Sequence, residues 1–341
     1  MLNIGLDIGY GYTKAVASNG KNYTIPSLIG EGFLRRYGDI FGSQEGLNLD
    51  NIHVELNGRH YFVGKLASLE SRTCSYAFEK DRIEHENTKV LLATAVALLM
   101  NQEEESISIA VGLPFSDYIQ QGKRFQEYLY NFDETVKLYD RNRPRLRRVR
   151  FLKATSFPQS AGAIYELAER FNFGHQGLVG CIDVGTKTTD IMVFTADKMY
   201  PVESMSGTID AGAHIIHSYL QKEIEEQLGI WAEAFELESA LRNNFQIVKR
   251  GQTIDLSQAA IQGKKDLAKK IRDEVVKLWG QRMDNLSMVF VVGGGALLLK
   301  EHLLKIYDNT IIPEGAEMLN ARGFLHVARM MGEQWAGTRE A

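Results

Sequence analysis

Short apolar runs alternate with glycine-rich or polar turns at the start of the chain. The apolar runs are Leu2–Asp7, Thr13–Ala17 and Tyr23–Pro26. Runs of apolar and β-branched residues between glycine-containing turns are typical of antiparallel strands. We therefore predict that the chain opens with a three-stranded meander.

The strand pattern weakens between Gly30 and Tyr76, where glycines and polar residues are frequent. Within this segment, His53–Val63 predicts a hairpin that turns at Asn57 and Gly58, because an Asn-Gly pair adopts the positive φ angles of a tight turn. We interpret the whole segment as a small inserted subdomain.

Strands and helices alternate through the rest of the chain. We predict strands at Ile107–Val111, Arg147–Ala154, Leu178–Asp183, Asp190–Phe194 and Met288–Val292, with a short hairpin about Arg250 and Gly251. Helical spacing of apolar residues predicts helices at Glu86–Met100, Tyr118–Tyr130, Gln159–Phe171, Ala211–Leu228, Leu256–Met283, Leu297–Leu304 and Asn320–Met331. This alternation predicts an α/β protein.

Two segments about half a chain length apart match one another. Residues 6–14 (LDIGYGYTK) and 182–190 (IDVGTKTTD) share an apolar-Asp-apolar-Gly run and then a threonine at the same offset. Each opens a predicted hairpin. We infer two similarly folded halves, each presenting one hairpin tip, and we expect the two tips to define a cleft.

Each tip combines groups that bind phosphate. An aspartate ends the strand, a glycine can adopt positive φ, and hydroxyl groups lie beside backbone N–H groups that converge on an anion. Asp7 and Asp183 are candidates to hold hydrated Mg²⁺, which prefers one or two carboxylates, phosphate oxygens and water. A single segment of this kind is more often a plain hairpin turn, so the matched pair is what favours a nucleotide site.

Two better-known nucleotide motifs do not fit. Gly180–Thr188 misses the Walker A spacing because of Thr186, and no helix is predicted after it. Gly9–Gly11 lacks the third glycine of a dinucleotide fingerprint and also leads into a strand.

A third glycine-rich element follows the predicted strand that ends at Val292. Gly293, Gly294 and Gly295 turn the chain, and glycines there allow a flat ring or a sugar to approach the backbone closely. Alone, such a glycine turn is weak evidence for a nucleotide site. The evidence is stronger because the two hairpins occur in the same chain.

These motifs together resemble the superfamily of actin, Hsp70 and the sugar kinases, and most closely the bacterial and archaeal actin-like ATPases of the ParM/StbA type. Asp7–Lys14 resembles the first phosphate loop, Asp183–Asp190 the second and Gly293–Gly295 the adenosine loop. The two connecting segments of the family are similar to Pro158–Ala163 and Asn320–Phe324, and Val111–Phe115 is similar to a Gly-Leu-Pro stretch of the ParM-like branch.

The resemblance implies a two-domain actin-like fold with ribonuclease H-like halves and a nucleotide cleft between them. Domain I would comprise residues 1–158 and 321–341, with an insertion at about 30–76. Domain II would comprise residues 159–320, with an insertion at about 209–285.

The resemblance also implies roles for single residues. Lys14 would contact phosphate, Asp7 and Asp183 would hold the hydrated metal, and Gln159 would position the attacking water, as a glutamine does in GTPases. The implied nucleotide-binding residues are Gly9, Tyr10, Gly11, Tyr12, Thr13, Lys14, Gly185, Thr186, Lys187, Thr188, Gly293, Gly294 and Gly295. Many relatives carry a carboxylate where this chain has Gln159, which leaves open slow hydrolysis, hydrolysis that awaits assembly, or a structural role beside Pro158.

The implied function is an ATPase that binds Mg-ATP, with GTP as the alternative, and polymerises into nucleotide-regulated filaments for plasmid or DNA segregation or cytoskeletal positioning. Its partners would be further copies of itself and a DNA-bound adaptor. The alternatives are a chaperone-type or complex-remodelling ATPase and a sugar kinase. We expect no substrate-binding domain of the Hsp70 type after Gly323, and no aspartate clearly fits the general base of a sugar kinase.

Composition and charge bear on the ligands and the cellular compartment that we expect for this protein. A net charge of −4 argues against direct sequence-specific binding of nucleic acid, and two cysteines suit a reducing cytoplasm. We expect no export signal and no membrane span.

Lys137–Lys153 is locally basic, and we interpret it as a solvated hairpin edge with its tip at Arg143–Arg145, with contact to a neighbouring subunit or adaptor as the alternative. Trp231, Trp279 and Trp335 are expected to pack in the interior, and His85 to lie on the surface at a helix start.

Overall fold

The computed structural model describes residues 1–35, 48–76, 85–140, 143–171, 173 and 177–337. The strands of the first half are β1 (Leu2–Ile8), β2 (Tyr12–Ala17), β3 (Asn22–Pro26), β4 (Leu28–Glu31), β5 (Ile52–Leu56), β6 (Arg59–Val63), β7 (Cys74–Tyr76), β8 (Ile107–Leu113), β9 (Asp133–Asp140) and β10 (Arg143–Pro158). The helices of the first half are α1 (Lys65–Glu70), α2 (Glu86–Leu99), α3 (Phe115–Tyr130) and α4 (Ala161–Ala168).

The second half repeats the mixture of strands and helices. Its strands are β11 (Leu178–Val184), β12 (Thr189–Thr195), β13 (Gly207–Ile209), β14 (Gln246–Lys249), β15 (Gln252–Asp255), β16 (Leu286–Val292) and β17 (Thr310–Ile311). Its helices are α5 (His214–Leu228), α6 (Ala234–Arg242), α7 (Ser257–Trp279), α8 (Lys300–Leu303) and α9 (Leu319–Gly337). Among the helices described, none combines the length and apolar character that a membrane crossing requires.

The chain divides into two compact units. Unit 1 comprises Met1–Leu113, Asp117–Glu166 and Asn320–Ala341, and unit 2 comprises Pro114–Ser116 and Leu167–Leu319. The domain limits that we predict from the sequence, after residue 158 and at 320, stay a proposal about the functional domains.

Unit 1 is built on one long mixed sheet with the strand order β3-β2-β1-β8-β10-β9-β5-β6-β4-β7. The predicted meander is confirmed, since β1 pairs antiparallel with β2 and β2 with β3. The predicted hairpin at Asn57 and Gly58 is also confirmed, and both residues have positive φ, 52° and 77°. Helix α2 is buried along most of its length and shares one apolar core with β1, β5 and β9.

The segment that we interpret as an inserted subdomain continues this same sheet. Strands β4, β5, β6 and β7 are hydrogen-bonded to one another, and β5 pairs with β9. The hairpin predicted over Lys137–Lys153 has β9 as its first arm, but the sequence analysis did not predict that β9 also pairs with β5. Residues 36–47 of this segment lie outside the described residues.

Unit 2 holds a five-stranded sheet with the order β13-β12-β11-β16-β17. Both sheets thus contain the same arrangement, three antiparallel strands followed by two parallel ones, because β3-β2-β1-β8-β10 in unit 1 follows the same pattern. Helices α5, α6 and α7 pack on the unit 2 sheet in one core. The predicted α/β fold with two ribonuclease H-like halves is confirmed.

Several local predictions are wrong in their limits. The predicted helix Leu297–Leu304 is a series of turns followed by the short helix α8, because three glycines precede it. Helix α4 begins two residues after Gln159 and ends at Ala168, so it is shorter than predicted. The sequence analysis also missed α6.

The expectations for the tryptophans and for the basic segment also need correction. Trp279 is buried as expected, but Trp231 is 71% exposed in the connection between α5 and α6. The Trp335 side chain lies outside the described residues. The hairpin predicted in the basic segment is confirmed, because β9 and β10 pair antiparallel, but Arg143–Arg145 is the start of β10 and not the tip. The predicted edge position is wrong, because β9 also pairs with β5 and is an inner strand. His85 is exposed at the start of α2, as expected.

Candidate nucleotide-binding site

The first predicted phosphate hairpin joins β1 to β2 in unit 1. Its tip is closed by a hydrogen bond of 3.0 Å from the Gly9 N–H to the Tyr12 carbonyl. A Cβ atom at position 9 would lie 2.9 Å from that carbonyl oxygen, so the turn requires glycine. Asp7 and Lys14 lie opposite one another in the strand register just before and after the tip.

A buried serine that the sequence analysis missed supports this tip. The Ser27 hydroxyl lies 2.7 Å from the Gly9 carbonyl, and the Ser27 N–H donates to the Gly11 carbonyl at 2.9 Å. The hydroxyls of Ser27 and Thr13 are 2.9 Å apart. The backbone of the tip is therefore fixed by hydrogen bonds to Ser27, the residue that follows β3. The only available sequence signal is the position of Ser27 directly after that strand.

The carboxylate of Asp7 is 2% exposed and receives two donors. Lys14 Nζ lies 3.2 Å from Oδ2, and the Gln159 amide Nε2 lies 2.9 Å from Oδ1. The structure thus brings together three residues that the sequence analysis singled out, two from the first hairpin and one from the segment after β10. Each oxygen of this carboxylate therefore accepts from one side chain, Oδ2 from a cation and Oδ1 from an amide.

The backbone on either side of Gln159 explains its placement. Strand β10 ends at Pro158, and the Gln159 N–H donates to the Leu113 carbonyl at the end of β8, at 2.7 Å. The next residue, Ser160, has a φ of 31°, a region that residues other than glycine seldom adopt. This turn separates β10 from α4 and directs the Gln159 side chain to Asp7.

The two predicted connecting segments meet within unit 1. A Cβ atom at Gly323 of α9 would overlap the carbonyl of Gly162 in α4, so the helices cross in direct backbone contact. The Asn320 side chain accepts a hydrogen bond of 3.1 Å from the Ala163 N–H. The glycines of both segments are therefore required by packing, and this contact supports the start of α4 next to Gln159.

The second predicted phosphate hairpin joins β11 to β12 in unit 2 and has the same local geometry as the first. The Gly185 N–H donates to the Thr188 carbonyl at 2.9 Å, and a Cβ atom at position 185 would lie 3.0 Å from that oxygen. Asp183 is 8% exposed and lies opposite Asp190 in the register. The internal repeat in the sequence thus corresponds to a repeat in three dimensions.

The start of α5 holds this second tip, a feature that the sequence analysis missed. The Ala213 N–H donates to the Gly185 carbonyl at 3.1 Å, and the His214 N–H donates to the Thr186 carbonyl at 2.8 Å. Gly212 lies so close to these carbonyls that a Cβ atom there would be 2.6 Å from each oxygen. Burial lowers the pKa of His214, opposed by the contact between its Nδ1 and the Thr186 carbonyl at 3.3 Å.

The two hairpins differ at the position occupied by Lys14 in the first. The second has Asp190 there, which is 2% exposed. One of its oxygens accepts from the Phe115 N–H at 3.1 Å and the other from the Thr208 hydroxyl at 2.6 Å. Asp190 therefore satisfies a backbone donor at the start of α3, which is a structural role that the repeat alone did not indicate.

The glycine turn after β16 packs against the second hairpin. Gly293 has a φ of 85°, and a Cβ atom there would collide with Oδ1 of Asp183. The Gly295 N–H donates to the Val184 carbonyl at 2.9 Å. Gly294 has open space around its Cα. Unit 2 therefore places the predicted adenosine loop directly beside the predicted metal-binding carboxylate.

Each unit presents one buried carboxylate of the kind that binds a hydrated magnesium ion, and the metal site itself stays a prediction. Across the described residues, no group of three or more His, Cys, Asp or Glu side chains is placed to hold a metal. Mg²⁺ is commonly held by one or two carboxylates together with phosphate oxygens and water. Asp7 and Asp183, each at the end of a buried strand, are groups of that kind.

Comparison with known proteins agrees with this geometry. The chain matches the family described as "Actin like proteins N terminal domain" over residues 5–162 and that described as "Archaeal actin homologue MreB-like, C-terminal" over residues 181–305. A ParM from Clostridium botulinum, solved as a 15-stranded filament, is 31% identical, with a TM-score of 0.86 over 96% of this chain and 99% of that chain. The chain belongs to the actin-like proteins.

Two archaeal relatives of this actin-like protein extend the comparison. A protein described as "Archaeal actin homolog" from Thermoplasma acidophilum is 25% identical over 336 residues, 96% of this chain and 99% of the relative. An archaeal actin homologue solved with ADP has a TM-score of 0.81 at 22% identity, covering 97% of this chain and 100% of that chain. At that identity the second likeness shows the fold alone.

The predicted site residues fall into two described groups. Unit 1 brings Lys14 and Gln159 onto Asp7, and unit 2 brings Gly293 against Asp183. The remaining predicted nucleotide-binding residues are those of the two hairpin tips and the rest of the glycine turn. Their contacts with nucleotide and metal stay predictions.

Proposed function

We propose that this actin-like protein binds Mg-ATP through both hairpins, hydrolyses it, and polymerises in its ATP-bound state. The observation that carries the proposal is the pair of hairpins with the same glycine closure and the same register, each preceded by a buried aspartate. The filament formed by the Clostridium botulinum ParM supports it.

The proposal assigns each part of the site a task. Backbone N–H groups at the tips, together with Lys14, bind phosphate oxygens, and the glycines 293–295 lie against the nucleoside. Asp7 and Asp183 hold the hydrated metal, which neutralises charge on the phosphates when it is bound. Mg-GTP is the alternative ligand.

Gln159 is the proposed water-positioning residue. Its Nε2 donates to Asp7, so its carbonyl Oε1 is the atom that accepts a hydrogen bond from the attacking water. Hydrolysis of a terminal phosphate depends chiefly on positioning and charge stabilisation, so an amide is chemically sufficient for this task.

The proposed cellular role is segregation of plasmid or other DNA, or cytoskeletal positioning in the cytoplasm, with a DNA-bound adaptor as partner. This part rests on likeness to the ParM protein. Filament formation requires a heterologous contact that does not close into a ring.

Sedimentation and light scattering test the proposal. We expect the wild-type protein to scatter light and pellet above a critical concentration with Mg-ATP or a non-hydrolysable analogue, and to stay in the supernatant without nucleotide. A parallel series with Mg-GTP compares the two nucleotides. A monomer that turns over ATP at every concentration contradicts polymerisation and favours a non-polymerising ATPase, and phosphorylation of an added sugar favours a kinase.

A further inference from the structure

The carbonyl of the first glycine at each hairpin tip accepts a hydrogen bond from a residue outside the hairpin. In unit 1 the Gly9 carbonyl accepts from the Ser27 hydroxyl at 2.7 Å. In unit 2 the Gly185 carbonyl, at the same place in the repeat, accepts from the Ala213 N–H at 3.1 Å. The two tips therefore share this bond, although a serine hydroxyl supplies it in one unit and the start of α5 supplies it in the other.

This bond fixes the direction of the next N–H group in the tip. A trans peptide is planar, and its C=O and N–H bonds point in opposite directions. The Gly9 carbonyl points to Ser27, so the Tyr10 N–H of the same peptide points away from Ser27. In unit 2 the Thr186 N–H points away from Ala213 for the same reason. Each supporting residue thus aims one backbone donor of the tip.

A second peptide of each tip is held in the same way. The Ser27 N–H donates to the Gly11 carbonyl at 2.9 Å, which directs the Tyr12 N–H. In unit 2 the His214 N–H donates to the Thr186 carbonyl at 2.8 Å and directs the N–H group that follows. Ser27 therefore does with one residue what two successive residues do at the start of α5.

The threonine that the two matched segments share binds this support in each unit. Thr13 and Thr189 stand at the same offset in the repeat, and both are fully buried. The Thr13 hydroxyl lies 2.9 Å from the Ser27 hydroxyl, and because Ser27 donates its hydrogen to Gly9, Thr13 is the donor in this contact. The Thr189 hydroxyl donates at 2.6 Å to the Ala211 carbonyl, in the segment before α5. The repeated threonine thus fixes the supporting segment of its own hairpin.

Fixed peptides matter at a phosphate site because an anion binds most tightly to N–H groups that already point towards it. Glycine places few restrictions on the rotation of the adjoining peptides. Without the Ser27 hydroxyl, the peptide between Gly9 and Tyr10 can rotate, and its N–H then has to be reoriented when a phosphate binds. The cost of that reorientation reduces the affinity for the phosphate groups and not for the nucleoside.

We propose that Ser27 and Thr13 are positioning residues for the phosphates of the nucleotide. The Thr13 hydroxyl orients the Ser27 hydroxyl, which holds the Gly9 carbonyl. The Tyr10 N–H is thereby aimed at a phosphate oxygen. The inference rests on the proposed nucleotide binding, and it assigns the Thr13 hydroxyl to the support of the site and not to direct contact with the nucleotide.

Removal of a single hydroxyl tests the role of Ser27. We expect Ser27→Ala to weaken Mg-ATP binding about tenfold, because one backbone donor to a charged ligand is no longer held in place. Adenosine, which has no phosphate, should bind with the wild-type affinity, and competition against a fluorescent ATP analogue measures both ligands. Ser108→Ala is the matched control, since Ser108 is also fully buried in unit 1 and donates to the Ala328 carbonyl at 2.8 Å. This control should bind Mg-ATP as the wild type does.

A double-mutant cycle tests the role of Thr13. We expect Thr13→Val to weaken Mg-ATP binding, and to cause no further loss when it is added to Ser27→Ala, because the threonine acts through the serine. An unchanged affinity of Thr13→Val, or losses that add in the double variant, would overturn this role.

The outcomes separate this inference from the proposed function. Wild-type protein that binds Mg-ATP, with Ser27→Ala of unchanged Mg-ATP affinity or with an equal loss of adenosine affinity, overturns the inference alone. A wild-type protein that binds neither Mg-ATP nor Mg-GTP overturns both the inference and the proposed function.

Discussion

The Gln159 amide donates a 2.9 Å hydrogen bond to the Asp7 carboxylate, although 152 positions separate the two residues in the chain. The side-chain oxygen of Gln159, Oε1, is therefore the atom proposed to accept a hydrogen bond from water. The same carboxylate contacts Lys14 at 3.2 Å. One buried group in unit 1 therefore orients both the proposed phosphate contact and the proposed water-positioning residue.

Replacement of Gln159 by alanine separates catalysis from binding. We expect Gln159→Ala to lower the turnover of ATP by about 10²-fold, because a water-orienting group acts mainly in the transition state. ATP affinity, measured by calorimetry, should change much less. Gln252→Ala, at an exposed position on β15, is the control. An equal loss of affinity and turnover in Gln159→Ala would assign Gln159 to nucleotide contact or to structure.

Replacement of Asp183 by asparagine removes a charge without removing volume. We expect Asp183→Asn to reduce ATP hydrolysis to near background, because the carboxylate is the proposed metal-holding group of the second hairpin. Circular dichroism and the thermal midpoint should stay close to the wild-type values. Full turnover by folded Asp183→Asn protein would remove Asp183 from the metal site.

Two neighbouring glycines form a matched pair for the turn after β16. Gly293→Ala places a Cβ atom against the Asp183 carboxylate and forces alanine to a φ of 85°, so we expect weaker Mg-ATP binding and a loss of stability of about 1–3 kcal/mol. Gly294→Ala adds its methyl group in open space and should leave both properties near wild type. Titration calorimetry and thermal denaturation measure the two effects. If the two variants behave alike, the close approach of Gly293 to Asp183 does not matter for the site.

We expect His53 to make the stability of unit 1 sensitive to acid. It is 4% exposed, stacks on Tyr139 at 4.4 Å between ring centroids, and lies 3.0 Å from the His60 ring. Burial, with the charges of His60 and Arg35, lowers the pKa of His53 to about 4, while Glu55 acts in the opposite direction. Between pH 6.5 and 4 the unfolded chain therefore binds more protons at this residue, so stability falls as the pH falls.

We expect the free energy of unfolding to drop by on the order of 1 kcal/mol between pH 7 and pH 5 because of this histidine. Denaturant titrations at the two pH values measure the change. His53→Phe should show a smaller drop, while a control substitution at exposed His85 should retain the wild-type dependence. The same drop in wild type and His53→Phe would place the acid sensitivity elsewhere.

The sequence predicted those parts of the site that depend on local turn chemistry. The Asp-apolar-Gly repeat, Gly293–Gly295 and the two connecting segments lie where short-range requirements for glycine are strong. In these segments a Cβ atom would lie too close to other atoms at Gly9, Gly162, Gly185, Gly293, Gly295 and Gly323, but not at Gly294. The strands that carry the hairpins were predicted for the same reason, since their apolar runs end at those turns.

The elements that the sequence analysis missed depend on contacts between distant residues. The pairing of β9 with β5 was not predicted, because about 80 positions separate the two strands and the local pattern shows only the hairpin of β9 with β10. Asp190 satisfies donors at Phe115 and Thr208, which no spacing rule connects. The exposure of Trp231 depends on Gln221, whose amide holds the backbone on both sides of it and leaves the indole outside the core.

The central claim is that the two matched hairpins hold the nucleotide that drives assembly. Electron cryo-microscopy of wild-type protein with Mg²⁺ and a non-hydrolysable ATP analogue tests it most directly. The account predicts filaments with triphosphate density against the backbone N–H groups of residues 9–14 and 185–188, and magnesium density near Asp7 and Asp183. Filaments with nucleotide bound elsewhere, or a nucleotide-bound protein that remains monomeric at every concentration, would contradict it.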